Sequence, residues 1–227
     1  MHELHTKKMT IETLQFLRDL AQNNNREWFE KNKPTFEKVY KKEFTSFIQN
    51  LIDEIKKFNP DVNDLAKDSL FRIYKDVRFA KDKTPYKDHF SASIVKGGKK
   101  NVDYPGYYFQ LGGGMLMIAG GAYMLEKDKL LKVRQYILNN QDAFMALINT
   151  PDFVSHFGQV RGEKNVRIDP EFKEIADKIP LILNKQFYVA AELDPTMAIE
   201  ENSIKAIAKY CEVMKPFNDF LIEAAFL

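Results

Sequence analysis

The sequence predicts an α+β fold in which a mostly antiparallel sheet, about residues 70–121 with a later strand near 186–191, packs against N-terminal and C-terminal helices. Three observations predict it. Apolar residues recur at helical spacing as far as Ile55, the period changes to two from Leu70, and helical spacing returns after Lys127. With 227 residues, of which 44% are hydrophobic, the chain is long enough to bury one core without metals or disulfides. The expectation is therefore a flexible tail over 1–9 and a single domain over 10–227.

Thr10 is placed to cap a first helix through about Ala21, with Ile11, Leu14, Leu17 and Leu20 on one stripe. Asn23, Asn24 and Asn25 end it, and Asn25 caps a short helix carrying Trp28 and Phe29. Pro34 marks a kink or restart. Beyond it Phe36, Val39, Tyr40, Phe44, Phe47, Ile48, Leu51, Ile52 and Ile55 make the buried face of a long helix ending near Asn59 and Pro60.

From Leu70 the pattern alternates, with Phe71, Ile73, Val77 and Phe79 on one face and Arg72, Tyr74, Asp76 and Arg78 on the other, as in a half-buried strand. Residues 81–86 read as a turn, Phe90 to Val95 as a second strand, and 96–101 as an exposed loop. Tyr107 to Leu111 and Met115 to Ala119 flank Gly112, Gly113 and Gly114 as a hairpin. Helices then follow at Lys127 to Asn139 and Gln141 to Ile148, a helical turn at Asp169 and Pro170, a strand over 186–191, and a C-terminal helix from about Glu200 that Pro216 kinks or splits.

The single cysteine, Cys211, forms no internal disulfide and suits a buried thiol, and 1–9 lack the apolar core of a signal peptide, so a cytoplasmic protein with no membrane span is expected. Net charge is only +2, yet residues 72–100 hold nine basic side chains against three acidic ones, a local excess of +6 that leaves the rest at −4. Nucleic-acid binding by bulk attraction is not implied. His2, His5, His89 and His156 show no ligand spacing, so neither a metal nor a cofactor is expected, although His2 and His5 are potential weak ligands in the tail. The three glycines are followed by no Gly-Lys-Ser or Gly-Lys-Thr and read as a turn rather than a phosphate loop.

Asn24 to Phe29 with Asn32 and Lys33, the long run Phe71 to Lys87, and Pro105 to Tyr108 are three stretches that together resemble the family catalogued as domain of unknown function 2461. The resemblance spans about 10–225 and implies a one-domain protein. Lys75 and Ala80 stand where such proteins often show arginine and serine. It implies no reaction.

The candidate site is the basic strand and turn. Arginines on alternate strand positions point the same way roughly 6–7 Å apart, a spacing suited to gripping a phosphate or carboxylate. Arg72, Arg78, Lys81, Lys83 and Lys87 are the expected ligand-binding residues for an anionic small molecule, continued by His89. Asp76 is a candidate base, and Tyr86, a phenol beside three lysines, a candidate proton donor with a lowered pKa. Two other readings remain open: a non-catalytic module that docks an acidic protein or nucleic acid, and a structural role in which the motif ties turn, strand and helix together.

Overall fold

The computed structural model describes residues 8–62 and 65–227; His2, His5 and most of the expected tail lie outside them. Helix α1 spans Ile11–Gln22 and buries Leu14, Phe16, Leu17 and Leu20. Ile11, expected on that stripe, is 60% exposed; Phe16 takes its place in the core. Thr10 occupies the N-cap position without a side-chain cap bond. Its amide and hydroxyl donate instead to the Glu43 carboxylate, both at 3.0 Å, and the Thr13 hydroxyl joins them at 2.8 Å. A buried carboxylate from the next helical layer thus closes the electropositive end of α1.

Helices α2, Arg26–Lys31, and α3, Lys33–Phe36, lead through a π-helical segment, Glu37–Phe44, into α4, Thr45–Ile55. Asn25 caps α2 as expected, its side chain accepting from the Trp28 amide at 2.9 Å. The π-helical turns carry Glu43, the residue that reaches α1, a common use of such widened turns. A short helix α5, Ala66–Ser69, follows.

The sheet is antiparallel throughout, in the order β1 (His89–Ile94), β2 (Gly106–Gly112), β3 (Leu116–Ala122) and β4 (Phe187–Leu193). Alternation sorts its faces. Tyr107, Phe109 and Leu111 of β2, with Phe90 of β1 and Ile118 of β3, enter the core, where Phe109 meets Phe44 and Phe47. The 112–114 turn is clamped by Arg18, whose Nε donates to the Gly113 carbonyl at 2.8 Å.

Helices α6 (Lys127–Asn139) and α7 (Gln141–Ile148) have the expected bounds. A further helix, α8 (Pro151–Phe157), occupies a stretch that hydrophobic spacing left unassigned. Pro170–Phe172 forms a 3-10 turn ahead of α9, Lys173–Lys178. Helix α10, Ser203–Phe226, runs unbroken through Pro216, so the proline does not split it. Its buried residues Ile207, Cys211, Met214, Phe217 and Leu221 keep helical spacing, and it packs against β3, α4 and α6.

Candidate functional site

Residues 70–79 depart from the regular strand that alternation suggests. Leu70 bridges Ala92 and Tyr74 bridges Tyr86, but Leu70 and Tyr74 are four positions apart whereas Tyr86 and Ala92 are six, so the ladder is bulged. Main-chain bonds hold the base: Phe71 to Ser91 at 3.0 Å, Lys87 to Ile73 at 2.8 Å and Lys75 to Pro85 at 2.9 Å. After Lys75 the chain leaves the pairing. Asp76 accepts from the Arg78 amide at 3.3 Å, from its Nε at 2.9 Å and from its Nη2 at 2.6 Å. That local competition from an aspartate side chain is what turns the backbone away from strand geometry. Phe79, placed by alternation on the buried face, is 96% exposed.

The return of the loop is built on Asp82, which accepts from the Thr84 amide and hydroxyl and from Lys75 Nζ at 2.8 Å. Lys75 foremost, then Thr84, holds this carboxyl far below its usual range. Lys83 Nζ donates to the Val77 carbonyl at 2.9 Å. Asp76 is likewise pulled down by Arg78, so it stays a carboxylate engaged by its neighbour.

The first and second motif stretches meet. The Asn24 amide donates to the Tyr86 carbonyl at 2.9 Å and accepts the Tyr86 amide at 3.1 Å. The Tyr86 ring stacks on Phe29 with centroids 4.0 Å apart. Tyr86 is 3% exposed, and burial raises its pKa, against the lowered value that neighbouring lysines suggested. The third stretch opens β2: the Tyr107 hydroxyl accepts from Asn59 at 3.0 Å, and burial pushes its pKa up.

The five expected ligand-binding residues fall into two groups. Arg72 and Lys87 lie together at the hairpin base; Lys87 is half-buried, its pKa lowered by burial and then by Arg72, and its ammonium sits 5.1 Å from the Phe71 ring centre. Neither makes an ion pair among the described residues. His89 is beside them, its pKa lowered chiefly by burial, with Asp88 2.9 Å from Nδ1. Arg78, Lys81 and Lys83 ride on the outer loop with exposed Phe79.

Sequence reasoning missed a cleft of about 520 Å³ on the sheet face opposite the core. Ala119, Gly120, Gly121 and Ala190 line it from the inner strands and β4, and Phe71 and Arg161 come from the segments beside the two edge strands. No pattern in the chain exposes this, because Ala119 and Ala190 become neighbours only through strand register. Among the described residues no group of three or more His, Cys, Asp and Glu is arranged to hold a metal, and no helix is long and apolar enough to cross a membrane. Cys211 is buried in α10, which pushes its thiol up to about 12.

A four-stranded antiparallel sheet with helices on one face, an open cleft on the other and a basic hairpin at its first edge defines an α+β domain. Residues 12–220 match the family described as conserved hypothetical protein (DUF2461), and the chain belongs to that family. No curated protein and no solved structure matches.

Proposed function

We propose that the protein binds an anionic small molecule of the phosphate or carboxylate type at the base of the 71–87 hairpin, with Arg72 and Lys87 as the anion-holding residues. The observation that carries this reading is two neighbouring cations that make no ion pair among the described residues, the nearby Asp76 carboxylate being engaged by Arg78. Lys87 is half-buried beside a second positive charge, an arrangement that costs free energy until an anion joins it. Arg78, Lys81 and Lys83 add positive field on the outer loop, raising the local anion concentration. Catalysis is a weaker part of the reading: Asp76 is occupied by Arg78, and the Tyr86 phenol is buried. A cytoplasmic location belongs to the same proposal and rests on the use of a single free thiol.

The test is thermal unfolding with inorganic phosphate, nucleotides, sugar phosphates and dicarboxylates. A ligand at 100 times its Kd adds about 2.7 kcal/mol, seen as a rise in Tm. The rise should vanish in folded Arg72→Ala and Lys87→Ala; no rise with any ligand would overturn the proposal.

Phe79 favours a second reading, docking of an acidic protein or nucleic acid to the outer loop. The ring is 96% exposed, with the Arg78 guanidinium 6.0 Å from its centre. Such association should weaken steeply with salt and with Phe79→Ser. Binding indifferent to both would remove it.

A further inference from the structure

Neither Arg72 nor Lys87 lines the cleft on the open sheet face, although its wall residue Phe71 is the ring beside the Lys87 ammonium, and the cleft's shape points to a ligand of different form. Where the centre of a sheet face is ordinarily filled by branched or aromatic side chains, the register partners Ala119 of β3 and Ala190 of β4 present only methyl groups, with Met117 beside them and the backbone of Gly120 and Gly121 completing the floor. The sides are aromatic. Phe71 and Tyr108 stand near one another at 6.4 Å on the β1 side, and Tyr123 and Tyr188 meet edge to face at 5.2 Å on the β4 side. A low floor between aromatic walls makes a slot, and its volume of about 520 Å³ lies in the ordinary range for small-molecule sites.

Charge narrows the occupant further. Two cations, Lys99 and Arg161, line the cleft, and no carboxylate does. Arg161 is already engaged, by the Ala190 carbonyl at 3.0 Å and Glu192 at 3.3 Å. Lys99 donates to the Leu70 carbonyl at 2.6 Å and makes no ion pair among the described residues, so two of its three N–H groups remain for a ligand. Tyr123 and Met124 are exposed at the rim, apolar surface that an occupant would cover.

We propose that this cleft binds a planar aromatic acid, its ring system lying between the Phe71–Tyr108 and Tyr123–Tyr188 walls and its acidic group at Lys99. Ring contact with aromatic walls supplies the apolar part of the affinity, and a charge-assisted bond to the ammonium supplies orientation.

Two fluorescent probes test it on the full chain: anilinonaphthalene sulfonate, an aromatic acid, and phenylnaphthylamine, its neutral counterpart. The expected result is saturable binding of the sulfonate at one site on protein that still melts cooperatively. Lys99→Met should weaken the sulfonate about ten-fold, the loss of one charge-assisted bond, and leave the neutral probe unchanged. Ala119→Phe, which raises the floor, should abolish both. Should that variant fail to fold, Tyr123→Ser at the exposed rim is expected to weaken both probes about five-fold. Arg72→Ala and added phosphate should affect neither probe, which separates this site from the hairpin base. Binding that ignores both Lys99→Met and the cleft variants would overturn the proposal. Equal affinity for the two probes with Lys99→Met silent would overturn the acid and leave a neutral aromatic occupant.

Discussion

Asn24 satisfies both main-chain groups of Tyr86, 62 residues away, through its single side-chain amide, at 2.9 and 3.1 Å. An asparagine used in this way imitates one more strand beside the bulged hairpin, and it anchors the hairpin to the loop between α1 and α2. Tyr86 stacks on Phe29 of α2 next to the same anchor. The two motif stretches are therefore one structural unit, whatever ligand the basic side chains hold.

Removing the amide should loosen that unit. Asn24→Ala leaves the Tyr86 N–H and C=O without their partner in a half-buried position, a loss of about 1–3 kcal/mol in urea denaturation. Tyr86→Phe keeps both main-chain bonds and the stacked ring, and should cost less than about 1 kcal/mol. Equal losses in the two variants would show that the phenol carries a role beyond packing.

Glu43 is the second point where segments distant in sequence are joined by one polar side chain. Its carboxylate accepts from Thr10 twice and from Thr13, and it is 4% exposed. Glu43→Ala strands the Thr13 hydroxyl and the first amide of the α1 cap, so a loss of about 1–3 kcal/mol is expected by calorimetry or urea denaturation. Thr13→Val removes one donor and its desolvation together, and should cost less.

These joints mark the limit of what the sequence makes legible. Helices 127–139 and 141–148 follow from helical spacing and the four sheet strands from β-forming apolar runs, most clearly in β2, where buried and half-buried residues alternate. Exposure still alternates from Phe71 to Arg78, but Asp76 bonds the amide two residues on and Phe79 falls outside the pattern, an outcome that apolar spacing does not encode. Helix α8 did carry a readable signal: Thr150 ahead of Pro151 is a cap and first-turn pair, and the Thr150 hydroxyl accepts the Phe153 amide at 3.4 Å. The cleft carried none. Its alanines are ordinary residues until register sets them side by side.

His89 gives the fold a pH dependence of known sign. Burial lowers its pKa below the ordinary 6.5, outweighing Asp88. The unfolded chain therefore binds this proton more readily than the folded one. The contribution is fully present above pH 6.5 and is lost as pH falls through the lowered folded value, with a slope of at most about 1.4 kcal/mol per pH unit. Urea unfolding of wild type between pH 7.5 and pH 5 should show this slope, at roughly those limits set by an ordinary imidazole. His89→Gln should flatten it. An unchanged slope in the variant would move the dependence to the carboxylates.

Gly120 sets how closely α10 lies on the sheet. A Cβ built there would fall 2.2 Å from both the Gly106 carbonyl and Met214 Sδ. The thioether can swing aside, but the carbonyl belongs to the register partner of the next residue in β3 and cannot move without opening the β2–β3 ladder. Gly120→Ala is therefore expected to cost about 1–3 kcal/mol as an overpacked core position. If Met214 is the main obstacle, Met214→Ala combined with Gly120→Ala recovers part of the loss. If the carbonyl is the obstacle, the double variant is at least as unstable as Gly120→Ala alone, because the thioether's packing is lost as well. The backbone contact predicts the second outcome, and a thermal-unfolding cycle on the four proteins distinguishes the two.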